Sequence, residues 1–193
     1  SDIQVLSPIK KGVTGVNSMN ARLQALLNPF QKAKSEKKIG DIVFRVGDRV
    51  MQTKNNYDIS WTELETGIEG FGVFNGDVGF VDEINTDFKT LTVIYDDKKV
   101  VYDFKELSDL TLAYCITVHK SQGSEFPVII IPMYPGPDMI QNRNLFYTGV
   151  TRAKKLVVLV GRAGIIKKMV DNNRQDKRYS ALVEKICNEF DNK

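Results

Sequence analysis

The sequence predicts an α/β protein: a parallel sheet with flanking helices, interrupted by a small β-barrel. Three observations carry this. Leu112 to Val118, Val128 to Ile131 and Leu156 to Val160 are nearly continuous apolar or β-branched runs, the mark of strands buried on both faces. Short polar links separate the apolar strands, which implies parallel crossovers. Between about Phe44 and Leu110 the pattern changes to short strands with close turns, as in a small barrel.

The elements follow in order. Asp2 to Leu6 is a short strand, and Ser7 to Gly15 is a loop with two lysines and two glycines. Val16, Met19, Leu23, Leu26 and Leu27 repeat at helical spacing, and Asn28-Pro29 stops that helix. Phe30 to Gly40 is lysine-rich and reads as a mobile surface loop. Val46 to Gln52 is a turn and a strand, and Asn75-Gly76 is a hairpin signal. Leu91 to Tyr95 and Lys99 to Tyr102 are strands joined by the Asp96-Asp97 turn. Tyr57 to Gly70, with the single tryptophan Trp61, reads as a loop or short helix. After Thr111 the chain returns to the α/β unit. Tyr134 to Pro137 is an irregular loop, Gln141 to Ala153 a helix, Ala163 to Asp171 a short helix, and Tyr179 to Phe190 an amphipathic one.

At 42% apolar residues the chain can bury a real core, and no apolar run approaches the ~20 residues that span a bilayer. Ser1 to Leu6 lacks a basic-plus-apolar leader pattern, so a cytoplasmic location is expected. The abrupt start in a strand-like segment suggests a piece of a longer protein. Cys115 and Cys187 lie in apolar surroundings and are expected to be free thiols. The net charge of +3 hides a segregation. Asp58 to Asp109 holds thirteen acidic and four basic residues, whereas Arg143 to Arg178 holds ten basic and two acidic. A basic segment of this kind suits an anionic partner, although a solvated basic helix face would give the same count.

Thr117-Val-His-Lys-Ser-Gln-Gly-Ser-Glu-Phe126 is the one dense run of mixed polar chemistry, and it holds the only histidine. It lies between two buried strands, which places it at a strand's carboxyl end, where open α/β sheets bind ligands. This run resembles motif V of superfamily 1 helicases in its RecD-like form. Tyr147-Thr-Gly-Val-Thr-Arg-Ala-Lys-Lys155 resembles motif VI, in the same order along the chain. The first strand, loop and helix are similar to motif IV. Gly47-Asp-Arg-Val50 and Asn75-Gly-Asp-Val-Gly79 resemble the SH3-like domain of that family. The resemblance covers nearly the whole chain and is specific around motifs V and VI. It implies the C-terminal part of a RecD-like helicase, of the exodeoxyribonuclease V α-subunit type. The implied architecture is a second RecA-like domain, residues 1–43 and 111–193, with an SH3-like barrel at 44–110.

The resemblance also implies roles. Arg152 becomes an arginine finger, since a guanidinium forks onto phosphate oxygens and stabilises charge in phosphoryl transfer. Glu125 would accept hydrogen bonds from the nucleotide sugar, and Gly123 would let backbone approach it. Lys10 or Lys11 would lie near the terminal phosphate, against the alternative of two exposed loop lysines. Thr117, His119 and Ser121 would contact phosphates of single-stranded DNA. In the acidic barrel, Lys54, Asn55 and Asn56 are the candidates for touching a strand, unless the asparagines only make a turn. No metal site is visible. The sequence contains no Gly-x-x-x-x-Gly-Lys-Ser/Thr loop and no strand ending in adjacent acids for Mg²⁺. The chain is therefore not expected to hydrolyse ATP alone. It should supply half of a composite site to the N-terminal RecA-like domain of the same parent, where ATP and Mg²⁺ are used. The implied parent activity is 5′ to 3′ unwinding in recombination and repair, with other recombination subunits as possible partners. A non-catalytic single-strand-binding module and a subunit-docking domain are the alternatives.

Overall fold

The computed structural model describes residues 3–136 and 140–173. The expected helix at Tyr179 to Phe190 and Cys187 lie outside the described residues. The chain opens with β1 (Ile3–Ser7) and α1 (Val16–Leu27). A hairpin of β2 (Glu36–Ile39) and β3 (Ile42–Arg45) follows. Then come β4 (Arg49–Gln52), β5 (Asn56–Glu63), β6 (Glu69–Val73), β7 (Val78–Asn85), β8 (Thr90–Tyr95), β9 (Lys98–Asp103) and β10 (Leu110–Leu112). The chain ends its described part with β11 (Cys115–Thr117), β12 (Phe126–Met133), α2 (Arg143–Val150), β13 (Ala153–Gly161) and α3 (Ala163–Asp171).

Four strands form a parallel sheet in the order β11-β1-β12-β13. Each connection is therefore a crossover, as the buried apolar runs require. Leu6, Ile116, Val118, Ile129, Ile131 and Met133 fill its core with Leu145 of α2 and Met169 of α3. Cys115 is a buried free thiol, and burial pushes its pKa up to about 12. β13 is an edge strand among the described residues, and Leu156 and Val160 on it are exposed. The expectation that this strand is buried throughout is corrected on that point.

The other seven strands make one antiparallel sheet, β10-β4-β7-β8-β9-β5-β6. One core cluster takes residues from both ends of that order, from Val50 of β4 to Val73 of β6. A single face enclosing a single core requires the sheet to curl, as in a small barrel. Tyr102 donates to Gln52 Oε1 at 3.0 Å and shares a hydrogen bond with Tyr95 at 2.8 Å. Burial pushes both phenols far above their ordinary pKa, so they stay protonated.

Five expectations change. The Phe30 to Gly40 loop contains β2, closed on β3 around Gly40. Tyr57 to Gly70 is a strand pair, because Trp61 on β5 lies against Gly70 on β6. A Cβ at Gly70 would stand 2.3 Å from the Trp61 ring. Asn75-Gly76 makes a turn but no hairpin: β6 and β7 are not neighbours. The turn instead closes on the end of β4, with Gly76 N donating to Gln52 O and Gln52 N to Asp77 O. Leu112 to Val118 is not one strand. β10 belongs to the barrel sheet and β11 to the parallel sheet, and the backbone steps across at Ala113-Tyr114. The buried Gln4 carboxamide donates to both carbonyls at that step, at 3.2 and 3.1 Å.

The fifth change concerns α1. Its apolar periodicity predicts a leucine face turned inward, yet Leu26 and Leu27 are 77% and 67% exposed. The buried stripe is Asn20, Gln24 and the cap residue Asn28, at helical spacing of four. These carboxamides face the seam between the two sheets and the turn that follows β3. Asn20 donates to Leu112 O and Cys115 O and accepts from Cys115 N. Gln24 and Asn28 donate to Val43 O and Val46 O, and both donate to the Asp48 carboxylate. Seam carbonyls and a buried carboxylate need donors, and leucine has none.

Candidate functional site

The motif V run forms the crossover from β11 to β12. Thr117 ends β11, a short 3-10 turn spans His119–Ser121, and Phe126 begins β12. The polar cluster expected at one carboxyl end is thus divided. His119 lies at the carboxyl end of β11, whereas Glu125 stands at the amino end of β12. α2 runs beside the crossover, and Gly149 permits this closeness. A Cβ there would meet Ile131 at 3.1 Å and Val118 at 3.7 Å.

At the lower end, Arg152 bridges the two segments. Its Nε donates to Thr148 O, Nη1 to Ser124 O and Nη2 to Thr151 Oγ1, each at 3.3 Å. All three acceptors are neutral. Among the described residues, no carboxylate pairs with this guanidinium. Phe126 N donates to Arg152 O at 2.8 Å, so the backbone here is fixed as well. Glu125 is exposed and forms an ion pair with Lys154 at 3.3 Å. Gly123 has φ +87, a conformation that disfavours a side chain.

At the upper end, Ser121 is wholly buried, and its hydroxyl donates to Val118 O at 2.7 Å. Thr117 is buried too, and its hydroxyl accepts from Lys120 N at 3.2 Å. Both hold the turn that presents His119, which is exposed. His119 and Gln122 line a cavity of about 320 Å³ with Asn142, Asn144, Leu145 and Thr148. Sequence reasoning missed Gln122, Asn144 and Thr148. The spacing of four between Asn144 and Thr148 was the available signal, since it places them on one helix face.

Lys10 and Lys11 are exposed in the loop after β1. The first amides of α1 are already bonded within that loop, Val16 N to Ile9 O and Asn17 N to Lys10 O. The helix start therefore offers less to an anion than the pattern implied. Lys120 does stand close to Lys10. Burial, with the charge of Lys10, pushes the Lys120 ammonium below its ordinary pKa.

Lys54 and Asn55 follow the end of β4 farther from the Arg49–Ala113 contact. Neither lines the crossover groove. Lys54 pairs with Asp109 at 2.7 Å. Asn55 accepts from Asn75 N and donates to Tyr57 Oη, so it ties two turns together. Asn56 accepts from Asp58 N and Ile59 N. A larger cleft, about 670 Å³, lies between α1, the β2–β3 hairpin and β10, away from the motif residues. Among the described residues no group of His, Cys, Asp or Glu could hold a metal ion, and no helix is long and apolar enough to cross a membrane.

A parallel sheet interrupted by a curled β unit defines a class of fold, and comparison with known proteins agrees. A family model described as the SH3 domain of ATP-dependent RecD-like DNA helicases matches residues 19–95. Another, the UvrD-like helicase C-terminal domain, matches residues 112–160. Two solved helicase structures share the fold. One addresses DNA unwinding at forked duplex DNA by two coordinating Pif1 helicases (TM-score 0.56, 18% identity, 98% of this chain and 45% of that one). The other is Bacteroides Pif1 bound to single-stranded DNA (TM-score 0.55, 17% identity, 98% and 46%). The class is therefore a superfamily 1 helicase-type RecA-like domain carrying an SH3-like domain.

Within that class, the sequence is similar to RecD-like helicases over nearly its whole length. It is 34% identical over 184 residues to the ATP-dependent RecD2 DNA helicase of Deinococcus radiodurans, covering 95% of this chain and 23% of that protein. It is 27% identical to the RecBCD enzyme subunit RecD of Mycolicibacterium smegmatis, covering 95% of this chain and 29% of that one. The chain thus spans under a third of the length of these curated relatives.

Proposed function

We propose that this chain is the motor's second half in an ATP-dependent, 5′ to 3′ DNA helicase of RecD type. Its units follow the expected division, residues 1–43 with 111–193 and 44–110, except that β10 carries the barrel to Leu112. The observation that carries the reading is the state of Arg152. A forked cation held by three neutral acceptors keeps its charge for a phosphate supplied from outside the chain. Glu125, one step along the same crossover, would take the ribose hydroxyls on release from Lys154. Lys10, Lys11 and Lys120 would add positive charge near the nucleotide or the strand. In the same reading, ATP and Mg²⁺ are used in the full-length parent, with the N-terminal RecA-like domain supplying the other half of the site. A cytoplasmic location and partnership with other recombination subunits belong to the same proposal.

On the DNA side, His119 is the exposed member of the three motif V candidates, with Thr117 and Ser121 positioning it. Lys54 and Asn55 would reach a strand only beyond the groove. Two measurements test this reading on the 193-residue chain. Steady-state ATP hydrolysis should be absent with or without single-stranded DNA. Turnover that copurifies with the chain and is abolished by its mutation contradicts the half-site. Single-stranded DNA should bind weakly, with a slope of log affinity against log salt of roughly −0.7 per neutralised phosphate. His119→Ala should weaken that binding, and unchanged affinity would place the track elsewhere. Stoichiometric single-strand binding by this chain, unaffected by loss of Arg152, would favour a binding module instead.

A further inference from the structure

The cavity between the crossover and α2 has a chemistry that phosphate contact does not explain. His119, Gln122 and Asn144 stand exposed at its rim. None of their side chains has a hydrogen-bond partner among the described residues. Thr148, one turn along from Asn144, donates its hydroxyl to Asn144 O at 2.8 Å, so its oxygen can still accept a hydrogen bond. The buried Leu145 lies among the lining residues and supplies apolar surface. No lysine, arginine or carboxylate lines the cavity.

A phosphate needs cations or a cluster of amides, and a carboxylate needs the same. A lining of carboxamides and an imidazole beside apolar surface matches a flat heteroaromatic ring with a polar edge. At about 320 Å³ the cavity is at the small end of the ~300–1,000 Å³ range of ligand pockets. It therefore suits one ring system rather than a whole nucleoside triphosphate. We propose that this cavity holds one nucleobase of the single strand, turned out of the base stack. The inference rests on the reading of this face as part of a DNA track. Asn and Gln each carry a donor and an acceptor, and rotating the amide exchanges them. The pocket would thus accept different bases, as a motor moving along arbitrary sequence requires. Unstacked bases read on their polar edges are a general mode of single-strand recognition.

The test compares an eight-nucleotide oligothymidylate with its abasic counterpart, which has the same charge and backbone but no bases. Fluorescence anisotropy with the 193-residue chain gives both affinities. The intact oligonucleotide should bind at least roughly fivefold more tightly, given the usual contribution of a held base. In the double variant Gln122→Ala with Asn144→Ala that ratio should fall towards one. Both residues are exposed, and an unchanged melting curve verifies the fold. Equal binding of the two oligonucleotides by the native chain overturns the pocket and leaves the phosphate track standing. A ratio that survives the double variant also overturns it, because the bases are then held elsewhere. Binding of neither oligonucleotide overturns the DNA-track reading together with the pocket.

Discussion

Arg152→Ala in the full-length parent should lower kcat for DNA-stimulated ATP hydrolysis by about 10³- to 10⁵-fold, the usual worth of an arginine finger. Nucleotide binding should change far less. The reasoning is differential: charge on the transferring phosphoryl oxygens is rearranged most in the transition state, so a cation placed there acts on kcat. The structure sharpens the expectation for lysine. The Arg152 fork reaches Thr148 O, Ser124 O and Thr151 Oγ1 at once, and an ammonium cannot span three such acceptors. Arg152→Lys should therefore fail nearly as badly. Because Arg152 also ties the crossover to α2, a control is needed. Thr151→Ala removes one acceptor and keeps the charge, so it should cost little. Glu125→Ala, by contrast, should weaken nucleotide binding and leave kcat largely intact. Steady-state kinetics beside direct nucleotide binding separates these outcomes. If Arg152→Ala only raises KM, the finger assignment is wrong and Arg152 is a positioning residue.

Asp48→Ala should give the largest loss of stability. Asp48 is wholly buried. Its carboxylate accepts from Gln24 Nε2 at 2.5 Å, Asn28 Nδ2 at 2.8 Å, Arg45 N at 2.7 Å and Tyr114 Oη at 2.9 Å. These donors come from α1, the end of the β2–β3 hairpin and the step between β10 and β11, so one carboxylate joins three parts of the chain. Arg45 does not neutralise it directly, since its guanidinium bonds to Glu36 and to Asn28 O. Burial and the Asp48 charge push the Tyr114 phenol above its ordinary range, which keeps that group a donor. Removing the acceptor leaves buried donors without partners, at a cost of about 3 kcal/mol or more. For a chain of this size the melting temperature should fall by roughly 10 °C. Asp48→Asn preserves the shape but turns an amide donor towards other donors, so it should rescue only part of the loss. Urea and thermal unfolding measure both variants. A melting temperature within 2 °C of the native chain, by rough scale, would mean the network contributes specificity without stability.

Much of this protein is legible in one dimension. α1 runs from Val16 to Leu27 and α3 from Ala163 to Asp171, where apolar spacing and the Asn28-Pro29 stop place them. The Asp96-Asp97 turn joins two paired strands, because two β-branched runs flank it. The polar run around His119 and Gly123 stands out by composition, and Arg152 by the resemblance to motif VI. These features depend on local preference and on each side chain's own polarity, which the sequence carries directly.

Other features depend on what a distant segment lacks. Asn20 is buried and the leucines of α1 are not, because the carbonyls of Leu112 and Cys115, 92 and 95 residues away, need its amide. The apolar run at Leu112 to Val118 is cut in two because the barrel and the parallel sheet each claim one part of it. Asn75-Gly76 turns as its dipeptide dictates, yet β4, not β6, is the partner of β7. The residues that gather at the candidate site were legible as types, but their grouping was not. Packing of α2 against Val118 and Ile131 through Gly149 brings Asn144 and Thr148 to His119 and Gln122. It also carries Arg152 to Ser124. Periodicity reports which side chains avoid water; only the tertiary structure decides which unpaired backbone groups and which neighbouring surface each of them meets.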